Sequence, residues 1–343
     1  MNVSDSQRNF RNHRVVLAER PRALPGVEHF RFDDQPVSEP GDGEVLLETV
    51  YVSVDPAMRV WMNEDPGYVP PIAIGDVMRA GGIGRVVESR SARFPVGALV
   101  QARLGWQTHP TLSEAQLTPI DLALGGPLEW MGPLGGTGLT AYFGMYRVGA
   151  VKSDDRVLVS AASGGVGQVA SQIARLEGCR SVGIAGGEAK CQHLTGSLGL
   201  SGAVDYKSVP DIGAAIDDLL PDGIDLYFDN VGGPILDAVL ERLRPRGRVV
   251  ICGRISQTGS ESLYGVKNLG ALIGKRARVE GFIVSDYAAE FDTAREWLSA
   301  RIKAGELSQR LHVLEGLESA PKGLGMLFDG ENTGKLVVQL ASA

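Results

Sequence analysis

At 343 residues the chain is long enough for two domains of ordinary size. Hydrophobic residues make up 43% and charged residues 22%, the balance of a globular protein, and a net charge of −7 without a long basic run argues against nucleic acid as the main partner. No apolar run reaches the roughly 18–20 residues of a membrane span, and residues 1–12 lack the apolar core of a secretory leader, so a cytoplasmic protein with no membrane partner is expected.

Up to about residue 128 the chain reads as β-rich, with short strands predicted at 13–17, 44–52, 83–88 and 96–101, bounded by Gly, Pro, Asp and Ser. Beyond residue 156 strands and helices alternate. The β-branched run at 156–160 precedes a 3–4 residue apolar period over 166–176, a helix. Strands at 181–185, 203–206, 224–229 and 248–252 then alternate with helices at 189–198, 212–220 and 234–243. Pro234 suits a first helical position, where its missing N–H costs nothing. This βαβαβ order predicts a parallel, doubly wound sheet. A polar, Gly-rich loop at 254–274 leads to a strand at 278–283, a helix at 287–304, a strand at 311–315, a helix at 320–328 and a last strand at 335–340.

Between the strand at 156–160 and its helix lies Ala162-Ser163-Gly164-Gly165-Val166-Gly167. It matches G-x-G-x-x-G with Ala at the first position, in the strand-to-helix context the motif requires. Glycines let the backbone approach a pyrophosphate, and the helix start offers free N–H donors. Ser163, Gly164, Gly165, Val166 and Gly167 are therefore candidate dinucleotide contacts. Ser163 is no nucleophile elbow, because G-x-S-x-G does not flank it.

About 20 residues on, an NAD-binding strand usually ends in Asp or Glu. Here it ends Ile184-Ala185-Gly186-Gly187, with Glu188 and Lys190 just beyond. A carboxylate would repel a 2′-phosphate and a lysine would pair with it. NADP is favoured if Glu188 faces solvent and Lys190 faces the cofactor; otherwise both are solvated charges at a helix start. Cys179, Cys191 and Cys252 show no paired spacing, and the five histidines form no cluster, so neither a disulfide framework nor a zinc site is expected. Asp55-Pro56-Ala57-Met58-Arg59 follows a strand that carries Tyr51; Arg59 is either an exposed turn residue or, with Tyr51, part of a substrate or phosphate pocket.

These residues resemble the zinc-independent branch of the medium-chain dehydrogenases/reductases. The group in question holds leukotriene B4 12-hydroxydehydrogenase/prostaglandin reductase and the bacterial curcumin reductases. The resemblance rests on Val52 through Arg59, Thr137 through Gly144, Ala161 through Gly167, Phe228-Asp229-Asn230-Val231-Gly232-Gly233, Cys252-Gly253, Gly281-Phe282-Ile283-Val284 and Gly330 through Lys335, in order along nearly the whole chain. It implies an α/β protein with a GroES-like β-rich catalytic domain (1–128 and 307–343) around a Rossmann domain (129–306). It implies NADPH as cofactor, with Lys190 and Tyr206 at the 2′-phosphate, Gly186 at the strand end, and Asn230, Cys252, Phe282, Val284 and Asn332 toward the nicotinamide.

The chain departs from the family at Ala57, where a tyrosine is usual, and at Thr258-Gly259, where Tyr-Asn is usual. Tyr264, six residues past Thr258, becomes the candidate catalytic donor. The implied reaction is hydride transfer to the carbon–carbon double bond of an α,β-unsaturated ketone or aldehyde, in a homodimer. A quinone or alkenal reductase, a zinc-free alcohol dehydrogenase and a non-enzymatic NADPH-binding sensor are the alternatives.

Overall fold

The computed structural model describes residues 11–259 and 264–342, so of the polar amino-terminal stretch only residues 11 and 12 fall within it. The chain divides into two compact units. One combines Met1–Leu122, Val313–Leu327 and Val337–Ala343; the other combines Ala123–His312 and Phe328–Leu336.

The first unit is β-rich. Strand β1 (Arg11–Leu17) pairs antiparallel with β2 (Phe30–Pro36), Leu17 opposite Phe30. Next come β3 (Glu44–Ser53), α1 (Ala57–Trp61), β4 (Gly82–Ser89), β5 (Leu99–Ala102), β6 (Thr111–Ser113) and β7 (Thr118–Pro119). Strand β3 is central: β4 lies along one edge, and β6 and the carboxyl-terminal strand Lys335–Gln339 along the other. Sheet pairing on both edges and packing on both faces bury it nearly throughout, which is why it reads as an apolar run rather than an alternation. Val45, Leu47, Val86, Phe94, Val100 and Leu104 close the core beneath it. The buried Trp106 indole donates to the Ser53 carbonyl at 3.2 Å, giving its N–H the partner that burial demands.

The second unit opens with helices α2 (Pro127–Met131) and α3 (Gly136–Phe143). Its parallel sheet comprises β8 (Arg156–Val159), β9 (Arg180–Ala185), β10 (Gly202–Asp205), β11 (Ile224–Asp229), β12 (Leu243–Ile251) and β13 (Arg278–Gly281), ordered β10-β9-β8-β11-β12-β13. The order reverses between β8 and β11, and the crevice beyond the carboxyl ends there is where such sheets bind ligands. The connections carry α4 (Gly165–Leu176), α5 (Glu188–Gln192), α6 (Ile212–Leu219), α7 (Gly233–Arg242) and α8 (Ala271–Lys275), and α9 (Phe291–Lys303) follows the sheet. Leu158, Val182, Val204, Ile216, Val239 and Val249 pack between the sheet and its helices.

Several short elements, β2 among them, were not read from the sequence, and two elements of the parallel-sheet unit differ from their expected spans. The helix expected at 189–198 ends at Gln192 and continues as a wider π-type turn, His193–Ser197. Strand β12 starts five residues before the expected 248, and its register against β11 jumps from Leu243 to Arg248. Residues 244–247 form an excursion at that irregularity, the kind of place a sheet tolerates a proline such as Pro245. Among the described residues no helix is long and apolar enough to cross a membrane.

Candidate active site

The turn after β8 carries the glycine motif. Ala161 sits at φ 46°, a left-handed conformation unusual outside glycine, and turns the chain sharply into α4. A Cβ on Gly167 would lie 2.3 Å from the Ala161 carbonyl oxygen and 2.7 Å from the Ala162 Cα. Only glycine lets the helix start this close to the strand. The Gln168 amide reaches back to the Ser163 carbonyl at 3.1 Å and stiffens the loop. Ser163 through Gly167 thus run from the turn through the N-cap Gly164 into the start of α4, whose unpaired N–H groups and positive dipole end suit a pyrophosphate.

One strand along, Gly186 and Gly187 follow β9. A Cβ on Gly186 would lie 2.8 Å from the Tyr206 ring, so the ring packs directly on the glycine backbone. Asp205, at the end of β10, accepts from the Gly187 amide at 2.7 Å and from the Lys207 amide at 3.0 Å. These two bonds clamp the β9 and β10 termini together and hold the Asp205 carboxyl below its ordinary pKa. Glu188 is exposed and accepts from Gln192, four residues on, at 2.8 Å. Lys190 instead turns inward, is half-buried, and donates to the Gly330 carbonyl at 2.6 Å.

The Lys207 ammonium comes to the same place. The position a Cβ would take on Gly330 is 3.7 Å from Lys207 Nζ and 4.0 Å from Lys190 Nζ. Burial, and then the neighbouring Lys207 charge, lower the Lys190 pKa. Two cations converging on one glycine beside a tyrosine is the donor set that fits a 2′-phosphate, so the residues present suit NADPH. The sequence reading named Lys190 and Tyr206 for this phosphate and did not name Lys207 or Gly330.

At the switch point the buried Asp229 organises the end of β11. Its Oδ1 accepts from Ser160 Oγ (3.1 Å), the Tyr227 hydroxyl (2.8 Å) and the amides of Val231 and Gly232 (both 2.9 Å). Burial raises the Asp229 pKa against these bonds. Asn230 is fixed by two bonds to Ser160, its amide to the hydroxyl at 2.9 Å and its side chain to the carbonyl at 2.7 Å. The Cys252 amide donates to the Asp229 carbonyl at 2.8 Å. Burial, helped by the Asp229 charge, pushes the Cys252 thiol up to about 12. It stays protonated and is a poor nucleophile.

The Phe282 ring lies against Gly144, its Cζ 2.9 Å from where a Cβ would sit, and Val284 packs with Leu139 and Phe143. The Asn332 side chain donates to the Gly334 carbonyl at 2.7 Å, closing the turn that follows Gly330.

Two side chains, Tyr264 and Arg59, have hydrogen-bond partners the sequence did not suggest. The Tyr264 hydroxyl donates to Asp237 Oδ2 at 2.7 Å, and Asp237 also accepts from the amides of Lys267 and Asn268, each at 2.9 Å from Oδ1. Tyr264 thus belongs to a clasp tying residues 264–268 to α7, and its phenol proton is already committed. In the first unit Arg59 is 4% exposed. Its guanidinium donates to the carbonyls of Ala23 (2.7 Å) and Pro21 (2.9 Å) and to the Asn63 side chain, tying the 21–23 segment to α1 rather than walling an open pocket. Tyr51 is 5% exposed, and burial raises its pKa. Among the described residues no group of three or more His, Cys, Asp and Glu is placed to hold a metal ion.

A family model described as the N-terminal domain of oxidoreductase matches residues 13–120, and one described as zinc-binding dehydrogenase matches residues 165–300. The NADPH-dependent curcumin reductase of Escherichia coli (strain K12) is 38% identical over 341 residues, 98% of this chain and 99% of that one. This chain belongs to the zinc-independent medium-chain dehydrogenases/reductases. The NADP(+)-dependent 2-alkenal reductase of Nicotiana tabacum, another relative, is 41% identical over 306 residues, 88% of each chain. The crystal structure of CurA from Vibrio vulnificus in complex with NADPH superposes with a TM-score of 0.91 at 36% identity, covering 96% of this chain and all of that one. The β-rich unit followed by a doubly wound parallel sheet is therefore this family's fold, and the chain is an oxidoreductase.

Proposed function

We propose that the protein is an NADPH-dependent reductase acting on the carbon–carbon double bond of an α,β-unsaturated ketone or aldehyde. The observation that carries the cofactor choice is the convergence of Lys190 and Lys207 on Gly330 beside Tyr206, with Glu188 turned to solvent. The names of the relatives support the substrate class: curcumin reductase and 2-alkenal reductase, the latter denoting an aldehyde with an adjacent double bond.

In this reading Lys190, Lys207 and Tyr206 hold the 2′-phosphate, and Ser163 through Gly167 hold the pyrophosphate. Asn230, Cys252, Phe282, Val284 and Asn332 bound the nicotinamide end. NADPH, when bound, supplies the hydride. The chain's own residues position and shield. Ser160 and Asp229 fix Asn230 and the turn before Cys252, and Phe282 and Val284 contribute apolar surface that excludes water. Tyr264 holds the 264–268 segment through Asp237 instead of donating directly to substrate, the role expected from sequence. Strand β13 is the sheet's edge, with Val279 exposed on it and Ile273 and Ile283 exposed nearby. This supports a homodimer through that edge, which sedimentation tests.

The deciding experiment uses NADPH deuterated at C4 with a 2-alkenal or an enone. Deuterium on the β-carbon is the expected result. Deuterium on the carbonyl carbon would instead make the protein an alcohol dehydrogenase, and no turnover with any carbonyl substrate would favour an NADPH-binding sensor.

A further inference from the structure

At the amino ends of the strands, on the far side of the sheet from the loops described above, Lys152, Arg246, Arg248, Arg276 and Arg278 line one cavity of about 390 Å³. Lys152 precedes β8, Arg246 lies in the excursion of β12 and Arg248 where its pairing with β11 resumes, and Arg276 and Arg278 lie just before and at the start of β13. The glycine motif, Lys190, Asn230 and Cys252 all follow the carboxyl ends of their strands. The sheet itself therefore separates this cavity from the candidate cofactor site.

Five cations in one cavity of a chain with net charge −7 is a local reversal of sign. Two carboxylates offset part of it. Asp155 pairs with Arg248, and Glu280 lies 3.7 Å from Arg278. Among the described residues Lys152, Arg246 and Arg276 have no carboxylate partner within salt-bridge distance.

Three of the four arginines are also held in place. Arg248 donates to the Ala150 carbonyl at 3.0 Å as well as to Asp155, Arg278 donates to the Val148 carbonyl, and Arg276 to the Gly274 carbonyl at 3.0 Å. Arg246 and Arg276 sit at φ 68° and 49°, where an L side chain is strained and glycine is the default. Both strained positions belong to the same cavity, one in the excursion that interrupts β12 and one at the end of α8. Ala150 and Asp154, beside Lys152, are also at positive φ, so this end of the sheet keeps several strained turns, two of which carry cavity arginines.

We propose that this cavity binds a small anion carrying two or more linked phosphates, at a site separate from the cofactor's. Guanidinium forks match phosphate oxygens bidentately, the cavity has room for a chain of two or three phosphates, and several fixed cations favour a multivalent anion over chloride or a single carboxylate.

The test is calorimetric titration of the full chain with inorganic tripolyphosphate in the presence of saturating NADP⁺, which keeps the probe out of the cofactor site. One saturable site per chain is expected, weakening as salt rises. Replacing Arg246→Gly and Arg276→Gly together removes the two arginines without a carboxylate partner while relieving the backbone, so the fold is retained. That variant should bind tripolyphosphate at least about tenfold more weakly with unchanged affinity for NADPH. Arg246→Asn with Arg276→Asn, which also tolerates positive φ, should give the same result. No saturable binding, binding unaffected by either pair of substitutions, or a changed oligomeric state in place of lost binding would each overturn the proposal. NADPH affinity, read in parallel, tests the cofactor assignment separately.

Discussion

The sharpest test of the cofactor reading is the charge at Lys190. Its ammonium already lies beside Lys207 and is held by the Gly330 carbonyl, so a 2′-phosphate entering that corner meets two pre-positioned cations. A charge-assisted hydrogen bond of this kind contributes about 1.5–3 kcal/mol, or roughly 10- to 150-fold in affinity. Lys190→Met keeps the aliphatic stem and removes the charge. With Lys207 still present, the preference for NADPH over NADH should fall by roughly tenfold, the low end of that range. Lys190→Glu replaces attraction by repulsion and should erase most of the preference. NADH, which has no 2′-phosphate, should bind both variants about as well as the parent.

The same corner should respond to pH. Burial and Lys207 lower the Lys190 pKa, so in the cofactor-free protein Lys190 loses its charge earlier than an ordinary lysine as pH rises. The NADPH advantage should shrink on the alkaline side and bring proton uptake on binding. It should also shrink below about pH 6, where a phosphate monoester takes its second proton. Stability follows the same sign. Between the depressed folded value and the ordinary value of the unfolded chain, the unfolded state binds more protons, so the Lys190 contribution makes the cofactor-free protein more stable as pH rises through that window. Fluorescence titrations with both cofactors over a pH series supply every number. Equal NADPH-to-NADH ratios in parent, Lys190→Met and Lys190→Glu would refute the assignment.

Gly167→Ala should lower Tm by several degrees and weaken binding of both cofactors alike, because a Cβ 2.3 Å from the Ala161 carbonyl pries the helix from the strand at about 1–3 kcal/mol. Arg59→Met should cost about 1–3 kcal/mol through the abandoned carbonyls of Pro21 and Ala23 and leave NADPH affinity alone; a cofactor or substrate defect without a melting shift would return Arg59 to the binding site. Tyr264→Phe should keep most of the turnover rate and speed hydrogen exchange at residues 264–268, whereas turnover lost with exchange unchanged would make its phenol a direct donor. Prolonged chelation should leave activity intact, checked by elemental analysis for zinc on the same sample.

What was legible in the sequence is what the chain encodes over short distances. The turn at Ala161 through Gly167 is local: one strand, one tight turn and one helix start, each with its own residue signature, and β11 (Ile224–Asp229) matches its predicted span. Strand β2 was missed because two phenylalanines alternating with charges make a weak signal on a two-stranded ribbon. The split of the helix after Gln192 is a backbone detail that apolar spacing does not report. The site residues divide the same way. Lys190 and Tyr206 came from the family pattern, but Lys207 became visible only when the Gly330 turn brought it and Lys190 together across more than a hundred residues of chain. Arg59 and Tyr264 carry side chains that usually signal chemistry. Whether such a side chain is free depends on its acceptors, and here those are carbonyls 36 and 38 residues upstream and an aspartate 27 residues upstream. Residue type proposes a donor; the acceptors that folding supplies determine whether it remains available. By that criterion the titrations should be aimed at two places where cations cluster beyond the carboxylates beside them, the 2′-phosphate corner and the arginine-lined cavity at the opposite end of the sheet.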